Sequence, residues 1–392
     1  MHRMKTVPPQ ASVVVIGGGV IGTSIACHLA ASGVGDVVLV ERGELASGST
    51  CRAAGGVRAT FSDPANIAIG LRGLEVYARF GELYGQDIDF RRDGYLYLLS
   101  DRESLDNFTE QVAVHNRHGV PSVIVDPDEA KRISPLIRSD DLVGACWSPR
   151  DGKATPEAVV LGYATAARQH GTRIVRHCEV LDITRRADSI TGVVTSGGVI
   201  ATRTVVCAAG AWSGVIGDMI GVAIPVTPVR RQIAFTEPVA GLPARSPSLT
   251  IDFPSSFYFH PEGAGLLLGW SDPRQEPGFN LKFELDDWLM GVGQIAARCA
   301  PAVLDYGIRT GWAGLYEVTP DCNQIIDRPG EVEGLLIATG YSGHGFLMGP
   351  ATGEIVRDLY HGRTPRYDIS RFTLDRFANA DTATSPAETN IV

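Results

Sequence analysis

Three glycines and a glutamate near the N-terminus have the types and spacing that bind a dinucleotide. Gly17, Gly19 and Gly22 follow an apolar run at residues 13–16, and Glu41 ends the next apolar run. The first glycine permits a tight turn, the second lets the backbone approach a pyrophosphate, and the third lets helix and strand pack closely. The helix N-terminus adds unpaired N–H groups and a positive dipole. The sequence therefore predicts an anion site built from main-chain atoms.

The surroundings of these glycines narrow the choice of ligand. Three glycines at this spacing also occur in ordinary turns, but here a β-branched strand precedes them, a helix follows, and Gly33 is placed to end that helix. Glu41 stands where a carboxylate accepts hydrogen bonds from an adenosine ribose, and its charge would repel a 2′-phosphate. The pattern favours a nucleotide that lacks this phosphate.

Composition excludes several classes of function. The 392-residue chain has 45 glycines and 44% hydrophobic residues, enough for a large core and two domains. A net charge of −9 without a Lys/Arg run argues against a nucleic-acid surface or an anionic membrane as partner. The apolar run within residues 1–12 is too short for a signal peptide. We therefore predict a cytoplasmic small-molecule enzyme without a membrane span.

The seven cysteines are scattered and form no C-x-x-C pair. This usage fits a reducing compartment and indicates neither a zinc site nor a disulfide framework. We predict no metal.

Apolar periodicity and turn residues predict the elements that position these groups. Strands are expected near residues 13–16, 37–40, 94–99, 120–125, 172–183, 190–195, 203–208, 224–236, 249–259, 265–270 and 334–340. Helices are expected after the first glycine turn, from Pro64 with Asp63 as its cap, over 102–117, from Thr155 to Gln169, and from about Pro350. The strands between 224 and 270 are separated by Pro/Gly turns, which indicates an antiparallel sheet unlike the opening fold.

Five segments carry a resemblance to a known family. They read VIGGGVIGTSIACHLA, GSTCRAAGGVR, VVCAAGAW, GWAGLYEVTPD and GYSGHGFLMGPATGEIV, in this order between about residues 12 and 365. The chain resembles the D-amino-acid oxidase superfamily of FAD enzymes, especially its glycine oxidase, sarcosine oxidase and dimethylglycine or proline dehydrogenase branches. The resemblance implies an α/β fold, α+β overall, in which a Rossmann-like FAD-binding domain is joined by a domain with a largely antiparallel sheet.

The resemblance also implies a division of the chain. The FAD-binding domain would comprise residues 10–80, 150–222 and 310–365, and the substrate domain residues 81–149 and 223–309. Residues 378–392 are rich in Ala, Thr and Ser, and this composition predicts a disordered tail.

The implied cofactor is FAD rather than a nicotinamide. Arg52 stands where dimethylglycine dehydrogenases attach flavin to a His, and Gly314 stands where monomeric sarcosine oxidases attach it to a Cys, so we predict non-covalent FAD. Cys51 leaves a different link open, although a plain small residue is the simpler interpretation. Besides the three glycines and Glu41, the expected cofactor-binding residues are Val20, Ile21, Arg42, Ser49, Thr50, Arg52, Ala53, Ala54, Val180, Ala209, Gly210, Trp212, Gly314, Gly343, His344, Gly345, Phe346, Leu347 and Met348.

The resemblance implies four residues at the reaction site. Arg58 matches the arginine with which sarcosine oxidases hold a substrate carboxylate; the alternative is a pair with a surface acid. Tyr258 matches a tyrosine facing the substrate, or it packs across strands. Tyr316 stands where glycine oxidases carry an Arg and sarcosine oxidases a Tyr. His344 would line the flavin edge, or it makes a local hydrogen bond within its glycine turn.

Two leucines narrow the expected reaction. Leu267 and Leu347 replace lysines of sarcosine oxidases, one that activates oxygen and one that binds the carboxylate. We predict hydride transfer from the carbon beside an amine to flavin N5, followed by imine hydrolysis, with an N-substituted glycine or related secondary amino acid as substrate. The acceptor would be oxygen or an electron-acceptor partner. The alternatives are a flavin subunit of a multi-chain proline or dimethylglycine dehydrogenase and a non-catalytic FAD-binding scaffold.

Overall fold

The computed structural model describes residues 6–239, 246–247, 249–378 and 388–390. Its strands are β1 (Val13–Ile16), β2 (Val37–Glu41), β3 (Gly56–Val57), β4 (Tyr95–Leu99), β5 (Val123–Val125), β6 (Gly144–Ser148), β7 (Gly152–Lys153), β8 (Arg173–Arg176), β9 (Val180–Arg186), β10 (Ser189–Thr195), β11 (Gly198–Ala201), β12 (Val205–Cys207), β13 (Thr227–Thr236), β14 (Leu249–Asp252), β15 (Phe257–Glu262), β16 (Gly265–Trp270), β17 (Ile308–Val318), β18 (Ile325–Asp327) and β19 (Leu335–Thr339). Its α-helices are α1 (Val20–Ala31), α2 (Pro64–Ala78), α3 (Phe80–Tyr84), α4 (Arg102–Arg117), α5 (Pro127–Ile133), α6 (Pro156–Gln169), α7 (Ser213–Ile220), α8 (Leu285–Cys299) and α9 (Gly345–Tyr360). Across these residues, no helix has both the length and the apolar character needed to cross a bilayer.

A six-stranded sheet with the order β18–β19–β12–β1–β2–β8 carries the glycine turn. Its strands are parallel except β18, which pairs antiparallel with β19 at one edge. The central strands are continuous buried apolar runs, because α1, α6 and α9 cover one face and the β9–β11 sheet packs on the other. The predicted β1–α1–β2 unit is confirmed. Its turn follows the carboxyl end of β1, the edge at which such sheets bind ligands.

The second large sheet has eight strands in the order β17–β13–β16–β15–β14–β4–β6–β5. Neighbouring strands are antiparallel except β14 and β4, so the predicted largely antiparallel sheet is confirmed. Helix α8 packs on one face through Trp288 and Val292. The other face carries a separate apolar cluster that includes Tyr95, Tyr258 and Leu267.

Three stretches of the chain differ from the expected elements. The strand expected at 172–183 is two strands, β8 and β9, separated by a left-handed residue, His177. The strand expected at 249–259 is likewise β14 and β15, with left-handed Ser256 between them. Strand β17 pairs with β13 along its length and so belongs to the eight-stranded sheet, although the expected FAD-binding segment begins at residue 310.

Helix α9 begins at Gly345, before the predicted start at Pro350. A proline inside a helix leaves the carbonyl four residues earlier without its amide partner. That carbonyl belongs to Phe346, and it accepts a 2.6 Å hydrogen bond from the Tyr77 hydroxyl on α2. The predicted start was wrong because proline commonly opens helices, whereas here a tertiary hydrogen bond lets the helix run through it.

Part of the C-terminal segment is ordered. Glu388 and Asn390 are buried, and the Glu388 carboxylate accepts hydrogen bonds from Ser62 N (3.0 Å), Ser62 Oγ (2.9 Å) and Asn66 Nδ2 (3.1 Å). Residues 388–390 thus form hydrogen bonds with the segment before α2, with α2 and with Gln111 of α4, in contrast to the disorder predicted over 378–392. Residues 379–387 and 391–392 lie outside the described ranges.

Candidate functional site

One cavity runs from the glycine turn after β1 to the tyrosine-bearing face of the eight-stranded sheet. Its walls bring together most of the residues predicted for the cofactor and the substrate. These are Gly17, Gly19, Val20, Ile21, Glu41, Arg42, Ser49, Thr50, Arg52, Ala53, Ala54, Arg58, Val180, Ala209, Gly210, Trp212, Tyr258, Gly314, Tyr316, Gly343, His344, Gly345, Phe346 and Leu347. We call the part beside Gly17 and Glu41 the nucleotide end, and the part beside Tyr258 and Tyr316 the amino-acid end.

Two of the predicted residues lie behind the cavity wall. A side chain at Gly22 would overlap the carbonyl oxygen of Gly17, so this glycine permits close packing of α1 on the turn. Met348 is fully buried in the core and does not line the cavity. Its contact with the cofactor therefore stays a prediction that the cavity lining does not support.

Main-chain atoms form the turn at the nucleotide end. Gly17 has a φ of +114°, which favours glycine, and Gly19 precedes α1 without a side-chain capping hydrogen bond. The N–H of Val20 donates to Thr50 Oγ1 at 3.2 Å. The first N–H groups of a helix have no partners within it, so the start of α1 can bind an anion.

The carboxylate of Glu41 is fixed beside this turn. Its two oxygens accept hydrogen bonds from Gly18 N and Gly43 N, each at 2.7 Å. Nearby, the Arg42 guanidinium carbon lies 3.7 Å from the centre of the Trp212 ring. An anion-binding helix start beside a positioned carboxylate and a planar surface fits the diphosphate, ribose and adenine of FAD.

Arg52 and Gly314, the two positions to which the resemblance assigns covalent flavin attachment in other family members, lie together. A side chain at Gly314 would come within 3.0 Å of Arg52 Cβ. The Arg52 guanidinium donates to the carbonyl of Gly48 at 2.7 Å. Neither position offers a nucleophile, and burial raises the pKa of the neighbouring Cys51 thiol, which keeps it protonated. This arrangement supports the prediction of non-covalent FAD.

Three tyrosine side chains at the amino-acid end each occupy space that a glycine leaves empty. A side chain at the glycine would overlap the tyrosine in every case. Burial raises the pKa of all three hydroxyls, so each remains a neutral hydrogen-bonding group at neutral pH. The pairs are Tyr95 with Gly56, Tyr258 with Gly269, and Tyr316 with Gly343. Together the rings form an aromatic wall.

Arg58 lines the cavity, but its guanidinium is held by the protein. Nη1 donates to the carbonyl of Thr60 at 2.5 Å, and Nη2 donates to the carbonyl of Asn390 in the C-terminal segment. The guanidinium carbon also lies 4.0 Å from the centre of the Phe61 ring. The side chain is only 6% exposed. Main-chain acceptors and an aromatic face therefore hold the Arg58 guanidinium, and its contact with a substrate carboxylate stays a prediction.

Arg231, a cavity residue that the sequence analysis missed, projects from β13 at the same end. Its Nη1 donates to the carbonyl of Arg230 at 3.1 Å, and its guanidinium carbon lies 5.2 Å from the centre of the Tyr316 ring. Within the described ranges, Nε is buried without a hydrogen-bond partner and no carboxylate pairs with this side chain. The sequence did contain a signal for it. Arg230 and Arg231 are adjacent in a predicted strand, and since successive side chains of a strand point to opposite faces, one of the two arginines must face the side of the sheet that carries the cavity.

A directed chain of hydrogen bonds fixes His344. Asn66 Nδ2 donates to Glu388, Gln324 Nε2 donates to Asn66 Oδ1 at 2.9 Å, and Gln324 Oε1 lies 3.1 Å from His344 Nε2. Because the amide oxygen of Gln324 can only accept a hydrogen bond, Nε2 of His344 is the ring nitrogen that carries the proton. Burial, followed by the charge of Arg58, lowers the pKa of His344 to about 3. His344 is therefore neutral, and its Nδ1 has no partner among the described residues.

The two leucines that replace family lysines have different surroundings. Both side chains are buried, but Leu347 lines the cavity, whereas Leu267 packs in the apolar cluster with Tyr258 and does not line it. Neither brings a cation to the amino-acid end. Its positive charge comes from Arg58 and Arg231.

Comparison with known proteins gives consistent matches. Residues 12–359 match the family model DAO, described as FAD dependent oxidoreductase. Human mitochondrial sarcosine dehydrogenase is 30% identical over 94% of this chain, but the match covers 42% of that protein, so the chain spans less than half of its length. The structure of L-proline dehydrogenase from P. horikoshii superposes with a TM-score of 0.89 at 34% identity, covering 95% of this chain and 99% of that one. For glycine oxidase from Geobacillus kaustophilus the TM-score is 0.84 at 25% identity, covering 94% and 99%.

Proposed function

Because the chain belongs to the DAO family of FAD-dependent oxidoreductases, we propose that it oxidises the carbon–nitrogen bond of a small secondary amino acid. The substrate would be an N-substituted glycine or its ring-closed counterpart, proline. FAD, when bound, accepts the hydride equivalent from the carbon beside the nitrogen. The residues of this chain hold the substrate, orient that carbon and exclude water.

The observation that carries the proposal is the pair of arginines at the amino-acid end, neither of which is in direct contact with a carboxylate of the described residues. Among the described residues, neither Arg58 nor Arg231 forms an ion pair with a protein carboxylate. Buried cations of this kind need an anionic or polar partner. The carboxylate of an amino acid supplies one, and the tyrosine wall accommodates the apolar remainder of a small substrate.

The preference for a secondary amine rests on the walls and on the relatives. An alkyl group on the nitrogen, or a ring joining nitrogen and side chain, adds apolar surface that the aromatic wall can bury. Two of the compared proteins are named for secondary amino acids, sarcosine and L-proline. Glycine oxidase is named for a primary amine, so glycine is the comparison that decides this point.

A second candidate is a flavin subunit that passes electrons to a partner protein rather than to oxygen. Leu267, which replaces the oxygen-activating lysine implied by the resemblance, is buried among apolar side chains and offers no cation. A cation beside the flavin would stabilise developing superoxide. This observation favours a dehydrogenase over an oxidase.

A substrate panel tests both proposals. The purified holoprotein is assayed with sarcosine, N-ethylglycine, L-proline, glycine and D-alanine, first with an artificial electron-accepting dye and then with air alone. We expect dye reduction with at least one secondary amino acid and slower peroxide formation in air. Activity confined to glycine or D-alanine would contradict the substrate class, and peroxide formation as fast as dye reduction would contradict the dehydrogenase.

A further inference from the structure

We propose that Arg231, and not Arg58, binds the substrate carboxylate, and that Arg58 is a structural residue that fixes the C-terminal segment. The inference rests on the proposed function, because it assumes an amino acid in the cavity. It follows from the different surroundings of three arginines near the amino-acid end, namely Arg58, Arg230 and Arg231.

Arg58 is held by contacts within the protein. Its two amino groups donate to the carbonyls of Thr60 and Asn390, and its planar face covers Phe61. Asn390 is itself held, since its Nδ2 donates to Gln111 Oε1 at 2.7 Å. A carboxylate bound by Arg58 would therefore share amino groups that already donate to main-chain carbonyls, on a guanidinium whose face is covered by Phe61.

Arg230 also has its partners, and they lie outside the cavity. Its Nη1 is 2.9 Å from a carboxylate oxygen of Glu284, and its Nε donates to Gln275 Oε1 at 2.6 Å. It does not line the cavity. Arg230 therefore provides a matched control, because it has the same chemistry as Arg231 one residue away on the other face of β13.

Arg231 lines the cavity, and of these three arginines it is the one with a buried guanidinium nitrogen that has no hydrogen-bond partner among the described residues. Its single hydrogen bond to the described residues goes to the carbonyl of Arg230, and its buried Nε has none. A buried donor without a partner is costly, and a carboxylate would satisfy the guanidinium through two parallel hydrogen bonds. A ligand with a carboxylate would therefore provide the hydrogen-bond acceptor that Arg231 Nε lacks.

The strand register brings Arg231 toward Tyr258 and Tyr316. Its neighbour on the same face of β13, Ile233, pairs with Gly269, and Gly269 pairs with Tyr258. The Tyr258 ring occupies the space that Gly269 leaves, on the way toward β13. Tyr316 lies beneath the Arg231 guanidinium. A carboxylate on Arg231 would therefore place the rest of a small substrate between these two rings.

The test measures binding rather than turnover. Methoxyacetate and tetrahydrofuran-2-carboxylate copy sarcosine and proline with oxygen in place of the nitrogen, so they cannot undergo amine oxidation. Their amides lack the charge. Each probe is titrated into holoprotein, and Kd is read from the change in the visible flavin spectrum. The variants are Arg231→Met, Arg231→Lys, Arg230→Met and Arg58→Met, each checked for FAD content and Tm.

We expect Arg231→Met to weaken carboxylate binding by about 30-fold or more, as for other truncated buried charge pairs, with little effect on the amides. Arg231→Lys should recover part of the affinity because it restores charge without the planar fork. Arg230→Met should bind as wild type does. Arg58→Met should lower Tm and weaken carboxylate binding far less than Arg231→Met.

Wild-type affinity in Arg231→Met, or an equal loss in Arg230→Met, would overturn the inference. So would an Arg58→Met holoprotein that folds with wild-type Tm and loses carboxylate binding. Failure of the proposed function has a different signature, because no secondary amino acid would then reduce the flavin of the wild type. The carboxylate titrations report on Arg231 whether or not that reduction occurs.

Discussion

The two ends of the cavity are formed by different kinds of groups. The core of the nucleotide end is made of main-chain atoms and one carboxylate between Gly17 and Gly43. The amino-acid end is made of side chains from widely separated segments: Tyr95, Arg231, Tyr258, Tyr316 and His344. One end depends on a local turn, whereas the other depends on the register of an eight-stranded sheet.

Substitutions at the two ends should have different effects on the protein. At the nucleotide end the protein backbone must approach the pyrophosphate of FAD closely. A new side chain would occupy that space, so we expect it to abolish FAD binding rather than weaken it. At the amino-acid end the position of each side chain depends on its neighbours. The three tyrosine rings, for example, need the space that a glycine leaves beside each of them. Substitutions there should alter substrate handling while FAD stays bound.

The largest expected effect is loss of the cofactor in Gly19→Val. Within the protein, a side chain at Gly19 has only Thr50 Oγ1 nearby, at 3.1 Å, so the fold should persist while the approach to the pyrophosphate is blocked. The FAD content after desalting should fall close to zero with an unchanged circular dichroism spectrum. Gly35→Val is the matched control, since nothing lies within 4 Å of a side chain there. Retention of FAD in Gly19→Val would break the comparison at this end.

The next effect is loss of turnover with FAD retained in Gly269→Ala. The new methyl group would overlap the Tyr258 ring, which must move. Misplacement of a positioning group by about 1 Å can cost about 100-fold in rate, so we expect a fall in kcat/KM of that order. Gly293→Ala, in open space on α8, should behave as wild type. Full activity in Gly269→Ala would remove Tyr258 from the reaction site.

A smaller effect is expected where the C-terminal segment supports the amino-acid end. Glu388→Ala removes the acceptor for Ser62 and Asn66, and it leaves buried donors unpaired. The free energy of unfolding should fall by about 1–3 kcal/mol in denaturant titrations of the holoprotein. The side chain of Thr389 is exposed, so Thr389→Ala is the control. Equal stability of the Glu388→Ala and Thr389→Ala variants would show that the segment is not anchored.

The last expected effect concerns pH. The folded protein lowers the pKa of His344 from an ordinary value of 6.5 to about 3, so the unfolded chain takes up a proton that the folded chain does not. His344 therefore contributes stability above pH 6.5 that is lost as the pH falls toward 3. His344→Gln should reduce this acid-induced loss, as followed by Tm between pH 7 and pH 4. His170→Gln changes an exposed histidine and is the control; an identical pH profile in wild type and His344→Gln would contradict the assignment.

The two ends also differ in how far the sequence predicts them. The nucleotide end follows from residues 13–41, where strand, turn, helix and acidic strand end are contiguous. The antiparallel sheet was likewise predicted from patterns in its own strands. Local patterns suffice where the structure is made by local backbone conformation.

The amino-acid end depends on contacts that a sequence pattern does not contain. Tyr258 and Gly269 become partners only through the β15–β16 register, and the early start of α9 depends on a hydroxyl from α2. Arg58 matched a family position, but the C-terminal carbonyl that it holds lies in a segment whose composition predicts disorder. Arg231 could be identified only once its lack of a partner was visible.

The central claim is that this cavity presents a secondary amino acid to FAD, and anaerobic titration of the purified holoprotein tests it most directly. Sarcosine, N-ethylglycine, L-proline, glycine and D-alanine are added in turn while the visible flavin band is recorded. We expect at least one secondary amino acid to bleach the band at concentrations where glycine and D-alanine leave it unchanged. A flavin that stays oxidised with every secondary amino acid, or that only glycine or D-alanine reduces, would contradict it.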